Sequence, residues 1–459
     1  MKPKPTLPIF ILIIFLGIFS SCKKNNNTTS PTPADSTALA AIVKDSTLLE
    51  SKDVYLWYNQ IPSSFNAQNY VDPNAEMVGI RAYSMEPGFS APVDKWSFGV
   101  LKTDWNQLSG GIGSANNISS TGDFGLGAFF RINDDLRVKL VEKLSPAGLA
   151  GIQRGWKITK INGNTNMTTA NSTFIVNSIY YSPNSSFTFI KPDGTSVDIS
   201  LTATTYPQQT VYLYTVYNVG SKTIGYMVLN SFLGDTSKIN SDFQRVMSNF
   251  ATQNVSDIVI DLRYNGGGYV SVQEKLADYL APSSANGKVM MKETYNDKHT
   301  NYNTTLYFNK TGPLNPNHVL FIVTQSTASA SELLINNLKP YMDVKLVGPG
   351  HTDGKPVGFF PISVGDWYVF PVSFRSSNSA GNGSYFGGFT PDALVADGLD
   401  KNWGDPTESC LAEAIKYITT GTFISQAPQI YKEDSAVISG NEVLDKSSFK
   451  GMVDSRGIK

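Results

Sequence analysis

The chain has 459 residues, 41% hydrophobic and 16% charged, with 37 basic and 38 acidic side chains for a formal net charge of −1. A balance this close to neutral offers no general attraction to nucleic acid or to an anionic membrane surface, so nucleic acid is excluded as an expected partner. Three histidines without metal-ligand spacing and two cysteines, Cys22 and Cys410, make neither a metal nor a thiolate cluster an expectation.

At the N-terminus Lys2 and Lys4 precede an uncharged stretch from Leu7 to Phe19, followed by Ser20, Ser21 and Cys22. Thirteen apolar residues fall short of the roughly 20 that span a hydrocarbon core, so residues 1–21 read as a signal peptide. Small residues just before a cysteine are what lipoprotein cleavage requires, which makes Cys22 the candidate lipid anchor. An ordinary secretory signal with an incidental cysteine is the alternative. The expected location is the cell envelope, the chain facing the periplasm or the cell surface. Residues 22–35, polar, proline-bearing and without periodicity, read as a flexible tether. The rest of the chain is long enough for about three domains at roughly 150 residues each.

Residues 36–105 suggest a small helical region, with Leu48, Leu49, Val54, Tyr55, Leu56, Trp57 and Tyr58 as core and the segment DKWSFG at its end. From 106 to 205 the character changes to short β segments with glycine turns: DFGLGAFFRI, LRVKLVEKL and SPAGLAGIQRGWKITKING. The last unit, 206–425, alternates strand and helix. TIGYMVLNSF reads as a strand; Ile239, Phe243, Val246, Met247 and Phe250 recur at helical spacing; SDIVIDLR, VLFIVT and VKLVG read as buried strands, with SELLINNL a helix between the last two. That order implies a mostly parallel α/β layer. Residues 426–459 read as a C-terminal tail. Cys410, in the helical pattern CLAEAIKYI, is expected to be a small buried apolar residue.

Two loops follow the C-terminal ends of predicted strands, where open α/β sheets place ligands. In DLRYNGGG the glycines Gly266 to Gly268 let backbone N–H groups point into a cleft, as an oxyanion site demands. The spacing matches neither a dinucleotide nor a phosphate-binding fingerprint, so no cofactor is expected. In TASASELLINNL, Ser329 stands between a buried strand and the first turn of a helix. That place suits a nucleophile, and equally a cap, since Ser329-Ala330-Ser331-Glu332 is a fair capping box.

The 106–205 stretch resembles a PDZ domain, with Gly125, Leu126 and Gly127 matching its carboxylate-binding loop. Such a loop offers successive N–H groups to a terminal carboxylate, and the adjoining strand edge adds a peptide as one more strand. Behind this module, DLRYNGGG, TASASE and HTDGKPVG together resemble the C-terminal processing (tail-specific) peptidase family over roughly residues 40 to 420. The resemblance implies an α/β (α+β multidomain) chain: a helical N-terminal region, a PDZ-like β domain and a crotonase-like α/β peptidase core. It implies Ser329 as nucleophile, Lys355 as general base with Thr352 beside it, and oxyanion donors on the N–H of Ala330 and of Gly268, supported by Gly267. GGFTPDALV and NWGDPTESCLAEAIKYI resemble the family's closing motifs, around Thr390-Pro391-Asp392 and Asp405-Pro406.

Two departures stand out. The turn Gly348-Pro349-Gly350-His351 is longer than the family's, and Val357, Gly358 and Phe359 occupy the place where many members carry a glutamine that orients the lysine. A lysine base must lose about 3 units from its ordinary pKa near 10.4, equivalent to roughly 4 kcal/mol of desolvation, which Pro356, Val357, Phe359 and Phe360 are placed to provide. His351 is the rival base, Glu332 a cap or support for the cleft, and Arg263 a structural charge beside the glycine loop. Three functions stay open: a serine endopeptidase acting near the C-termini of envelope proteins, an inactive PDZ-bearing adaptor for such tails, and a binder of small hydrophobic molecules on the same core.

Overall fold

The computed structural model describes residues 33–113, 122–424, 435–445, 449–454 and 456. The expected signal peptide, Cys22 and most of the expected tether lie outside the described residues. No helix among the described residues is long and apolar enough to cross a membrane.

The first helix, Pro33–Val54, starts inside the expected tether. Proline at a helix start forfeits no hydrogen bond, so Pro33 begins the helix rather than extending the linker. The N-terminal region is not a separate body. Its strand Phe98–Leu101 pairs antiparallel with Trp367–Phe370 of the α/β unit, and Tyr55, Trp57, Trp96 and Trp105 share one apolar cluster with Val357, Phe359 and Phe370.

The second unit is a five-stranded antiparallel sheet in the order Leu126–Phe130, Leu136–Val141, Lys157–Ile161, Asn184–Ile190, Ser196–Thr202. Leu126, Ala128 and Phe130 alternate inward, as a sheet with one buried face requires, and meet Phe124, Val138, Ile158 and Phe187. Leu126–Phe130 is the edge strand, and the helix Ser172–Tyr180 packs its Ile175 and Ile179 into the same core.

In the third unit six strands run in the order Ala393–Leu394, Asp343–Gly348, His318–Ile322, Asp257–Asp261, Lys222–Leu229, Val211–Val219. All pairings are parallel except the last, a hairpin. Asp257–Asp261 is buried along its whole length, in keeping with its unbroken apolar centre. The helix Thr236–Thr252 buries the five residues picked out by periodicity, Ile239, Phe243, Val246, Met247 and Phe250. Its first turn is capped by Asp235, whose side chain accepts the N–H groups of Ser237 and Lys238. Cys410 is free and fully buried.

The C-terminal residues do not trail away from the body. The helix Ser435–Asp445 packs on the second unit, burying Val437 and Leu444 in its core, and the strand Gly451–Val453 pairs parallel with Gly267–Tyr269.

Phe243 is fully buried under the central sheet, so Phe243→Ala should lower the unfolding free energy by about 3–5 kcal/mol through lost transfer energy and a cavity. On the same helix the exposed Gln244→Ala should stay within about 0.5 kcal/mol of the parent. Guanidinium unfolding of both variants measures the difference.

Candidate active site

The glycine loop is held from behind by a buried charge cluster. Arg263 is 1% exposed and meets Asp261 at 2.6 Å, Asp397 at 2.8 Å and Glu408 at 2.8 Å. Arg154 of the second unit reaches the same Asp397 at 2.6 Å. Burial alone would raise the Asp397 pKa; Arg154 and Arg263 outweigh it and hold the carboxyl at about 2. Arg263 is thus the structural charge expected from the sequence, and it also couples two units.

Asn265, within the same motif but not singled out from the sequence, ties the glycine loop to the serine loop. Its Oδ1 accepts the Gly267 N–H at 2.9 Å and its Nδ2 donates to the Leu229 carbonyl at 3.0 Å. Its own carbonyl accepts the Ala328 N–H at 3.1 Å and the Ser331 hydroxyl at 2.9 Å. Gly267 has φ +106°, and a Cβ there would stand 3.0 Å from the Ala330 nitrogen. A Cβ on Gly268, φ +142°, would instead collide with the Phe232 backbone at 2.1 Å. The glycine whose α-carbon faces Ala330 N is therefore Gly267.

Ser329 precedes the helix Ala330–Leu338 with φ 62° and ψ −112°, a left-handed conformation that costs a non-glycine residue about 1–3 kcal/mol. Only half of the capping device holds it. The Glu332 carboxylate accepts the Ser329 N–H at 2.8 Å, while the Ser329 hydroxyl, in capping position, closes no hydrogen bond with any described residue. The side chain has no exposed surface.

Glu332 joins this loop to the next. Its Oε2 also accepts the Lys355 N–H at 2.8 Å, and its Oε1 accepts the Thr352 hydroxyl at 2.5 Å and the Gly354 N–H at 2.7 Å. Burial and the nearby Asp353 push its pKa up to about 7, while these donors work the other way by favouring the charged form.

Lys355 is fully buried, and its ammonium nitrogen has no hydrogen-bond partner among the described residues. It stands 3.8 Å from the Phe359 ring centroid and 5.7 Å from that of Trp96. Burial lowers its pKa to about 7, against the opposing pull of Asp94, Asp353 and Glu332. Phe359, at the place of the expected glutamine, thus confronts the amine with a ring face. Trp96 and Asp94 come from the N-terminal region, whose aromatics the sequence suggested were core only. Trp96 bonds Asp353 through its indole N–H at 2.9 Å, and the segment DKWSFG was the one trace of this contact in the sequence.

His351 is exposed, its Nδ1 lies 2.7 Å from the Thr352 carbonyl, and it makes no hydrogen bond to Ser329 or Lys355. Of the expected carboxylate-binding loop, Gly125 precedes the strand, packs on Ser145 and donates its N–H to Asp123 at 2.6 Å, while Leu126 and Gly127 already belong to the strand Leu126–Phe130 of the second unit. A cleft of about 1590 Å³ lies between that unit and the core, lined by Phe129, Trp96, Ser326, His351, Asn441 and Lys450 among others. Neither Ser329 nor Lys355 lines it.

Residues 223–395 match the model of peptidase family S41. The particular relatives are carboxy-terminal processing proteases. The chain is 29% identical over 210 residues to the carboxy-terminal processing protease CtpB of Bacillus subtilis, covering 45% of this chain and 41% of that protein. It is 26% identical over 245 residues to a CtpA-like serine protease of Staphylococcus aureus, covering 52% and 46%. The matches span less than half the length of these relatives. A crystal structure from Bacteroides fragilis assigned to the S41 proteases superposes with a TM-score of 0.63 at 24% identity, over 82% of this chain and 97% of that one, and shares the fold.

The depressed lysine pKa has a stability consequence. Between about pH 7 and 10.5 the unfolded chain binds a proton at Lys355 that the folded chain does not, so stability should rise with pH through that window and the cost of burial should be largest below it. Lys355→Met removes the titration and should stabilise the protein at pH 7 by on the order of 4 kcal/mol. Denaturant unfolding at pH 7 and pH 10 checks both: the Lys355→Met gain should shrink at the higher pH.

Proposed function

We propose that the chain is an envelope serine endopeptidase that cuts proteins or peptides near their C-termini, with Ser329 as nucleophile and Lys355 as general base. The observation that carries the reading is that two fully buried groups, Ser329 Oγ and Lys355 Nζ, lack a hydrogen-bond partner among the described residues and stand on loops joined by a single carboxylate. An unsatisfied buried polar group costs about 1–3 kcal/mol, and a strained serine adds to that, so a bland cap does not account for the arrangement.

The chemistry follows from the geometry. With a pKa near 7, a substantial fraction of Lys355 is a neutral amine at neutral pH and can take the Ser329 proton as Oγ adds to a peptide carbonyl. The two side chains are not hydrogen-bonded to each other here. The developing oxyanion would be received by the Ala330 N–H at the helix start together with the Gly268 N–H, as the resemblance implies, since the Gly267 N–H is already donated to Asn265. Lysinium then returns its proton to the leaving amine. The second unit is read as a PDZ-like module that holds the substrate tail along Leu126–Phe130, whose start carries the Gly125-Leu126-Gly127 motif. The membrane anchor is read at Cys22.

Ser329→Ala should cut kcat on an extended peptide by at least about a thousandfold with an unchanged circular dichroism spectrum, and His351→Ala should keep most activity. Wild-type kcat/KM should rise with pH on one basic limb with its midpoint near 7. Full turnover in Ser329→Ala refutes the nucleophile; loss in His351→Ala with retention in Lys355→Met makes histidine the base.

Cys22→Ser should leave the membrane pellet on fractionation of expressing cells, because a polar tether cannot replace buried acyl chains. Retention of the variant in the pellet contradicts the anchor.

A further inference from the structure

The C-terminal residues occupy both places where the proposed function would seat a substrate. The helix Ser435–Asp445 lies between the edge strand Leu126–Phe130 and the helix Ser172–Tyr180. The Asn441 side chain accepts the Phe130 N–H at 2.8 Å and donates to the Phe130 carbonyl at 2.9 Å, the two bonds an added peptide strand would make to that edge. Val437 and Leu444 fill apolar space among Phe124, Leu126, Phe130 and Ile175. A Cβ on Gly440 would stand 2.9 Å from the Thr169 side chain and 3.2 Å from the Phe130 ring, so the helix sits as close as a glycine allows.

From the end of this helix, polar anchors lead to the catalytic loops. Asp445 meets Lys139 at 3.0 Å, accepts the Ser326 hydroxyl at 2.9 Å three residues before Ser329, and lies 3.5 Å from Lys450. Lys450 in turn donates to Asp353 at 2.8 Å, two residues before Lys355.

The strand Gly451–Val453 then runs between the two loops and is bonded on both sides. On one side Gly451, Met452 and Val453 oppose Gly267, Gly268 and Tyr269, and the Gly451 N–H donates to the Gly266 carbonyl at 2.9 Å. On the other, Phe359 donates its N–H to the Met452 carbonyl at 2.9 Å, and Asp454 donates to the Phe359 carbonyl at 3.1 Å. The Gly451 carbonyl oxygen lies 2.3 Å from the Cβ position of Gly267, the point that is 3.0 Å from Ala330 N. Met452 is fully buried against Val270, Met291, Leu333 and Phe374.

We infer that the C-terminal helix and strand form an intramolecular substrate mimic: the helix fills the tail groove of the second unit, the strand lies as a peptide across the glycine loop, and together they hold the enzyme shut. The inference rests on the proposed peptidase reading. It accounts for the lack of any exposed surface on Ser329 and Lys355 beside an open cleft that stops short of both. It also assigns the Val270, Met291, Leu333 and Phe374 pocket to a long unbranched apolar residue of the substrate, the residue after the one that lies opposite Gly267.

Deleting the segment risks unfolding, because Met452 and Val453 belong to the core. The test therefore loosens its anchors in the full chain with Asn441→Ala/Asp445→Ala, and separately with Gly440→Leu. Three quantities are measured: turnover of an internally quenched peptide, amide exchange at 451–454, and, in a Ser329→Ala background, binding of a fluorescent peptide with a free carboxylate and apolar end residues. Both variants should exchange faster at 451–454, bind the peptide at least about tenfold more tightly and turn over at least about tenfold faster, as expected when a competing closed state loses population. Faster exchange in folded variants with binding and turnover both unchanged overturns the inference, and so does unchanged exchange. Absence of Ser329-dependent turnover in every form sinks the peptidase reading alone; tighter peptide binding in the variants still supports the helix as occupant of the groove, and unchanged binding overturns it.

Discussion

The site depends on one buried carboxylate. Glu332 receives four hydrogen bonds, from the N–H groups of Ser329, Gly354 and Lys355 and from the Thr352 hydroxyl, and so clamps two loops that come from different strands of the central sheet. Full acceptance on both oxygens suits an ionised carboxylate, which has no proton to donate, even though burial pushes its pKa up. Because each donor is a backbone group or a hydroxyl held by the backbone, the carboxylate sets where the loops run rather than carrying a proton itself. The same contact keeps Ser329 in its left-handed conformation, with its hydroxyl outside the local hydrogen-bond network.

Around that clamp the structure keeps charge buried only where it is matched. Arg263, Arg154, Asp261, Asp397 and Glu408 form a closed cluster behind the glycine loop, with Tyr264 also bonded to Asp397. Removing one member of such a cluster typically costs about 3–5 kcal/mol, because the partners stay buried without compensation. Lys355 is the contrast: it is as buried as Arg263 but meets ring faces instead of a bonded carboxylate, and its amine gives up charge. Two basic groups of equal burial thus take opposite roles, one a fixed structural charge and the other an amine able to exchange a proton near neutrality.

The N-terminal region and the C-terminal segment are walls of the site rather than appendages. Trp96 stands near the lysine and bonds Asp353, and Phe449 and Lys450 line the cleft beside His351. The surroundings of the segment that matches the S41 model are therefore completed by residues on both sides of 223–395.

Much of this was readable locally. Apolar spacing located the helix Thr236–Thr252 and the strands Asp257–Asp261 and His318–Ile322, because periods of 3.6 and 2 are properties of neighbouring residues. The loops with Gly266 to Gly268, Ser329 and Lys355 were marked by composition and by the family they resemble, and the relatives found by comparison are proteases of that kind over part of their length. The helix start at Pro33, the part played by Asn265, the approach of Trp96 to Lys355 and the folding-back of the C-terminal helix were not. Trp96 and Asp353 are 257 positions apart and Phe130 and Asn441 are 311 apart, and no local pattern encodes a contact at that distance. The sequence by itself offered Ser329 and the glycine loop as candidates by residue type and turn, while Lys355 as base and the oxyanion donors came through the family it resembles. Only the tertiary structure decided that the lysine is neutralisable and the serine unpartnered, because desolvation and hydrogen bonding belong to the packed surroundings and not to the residue.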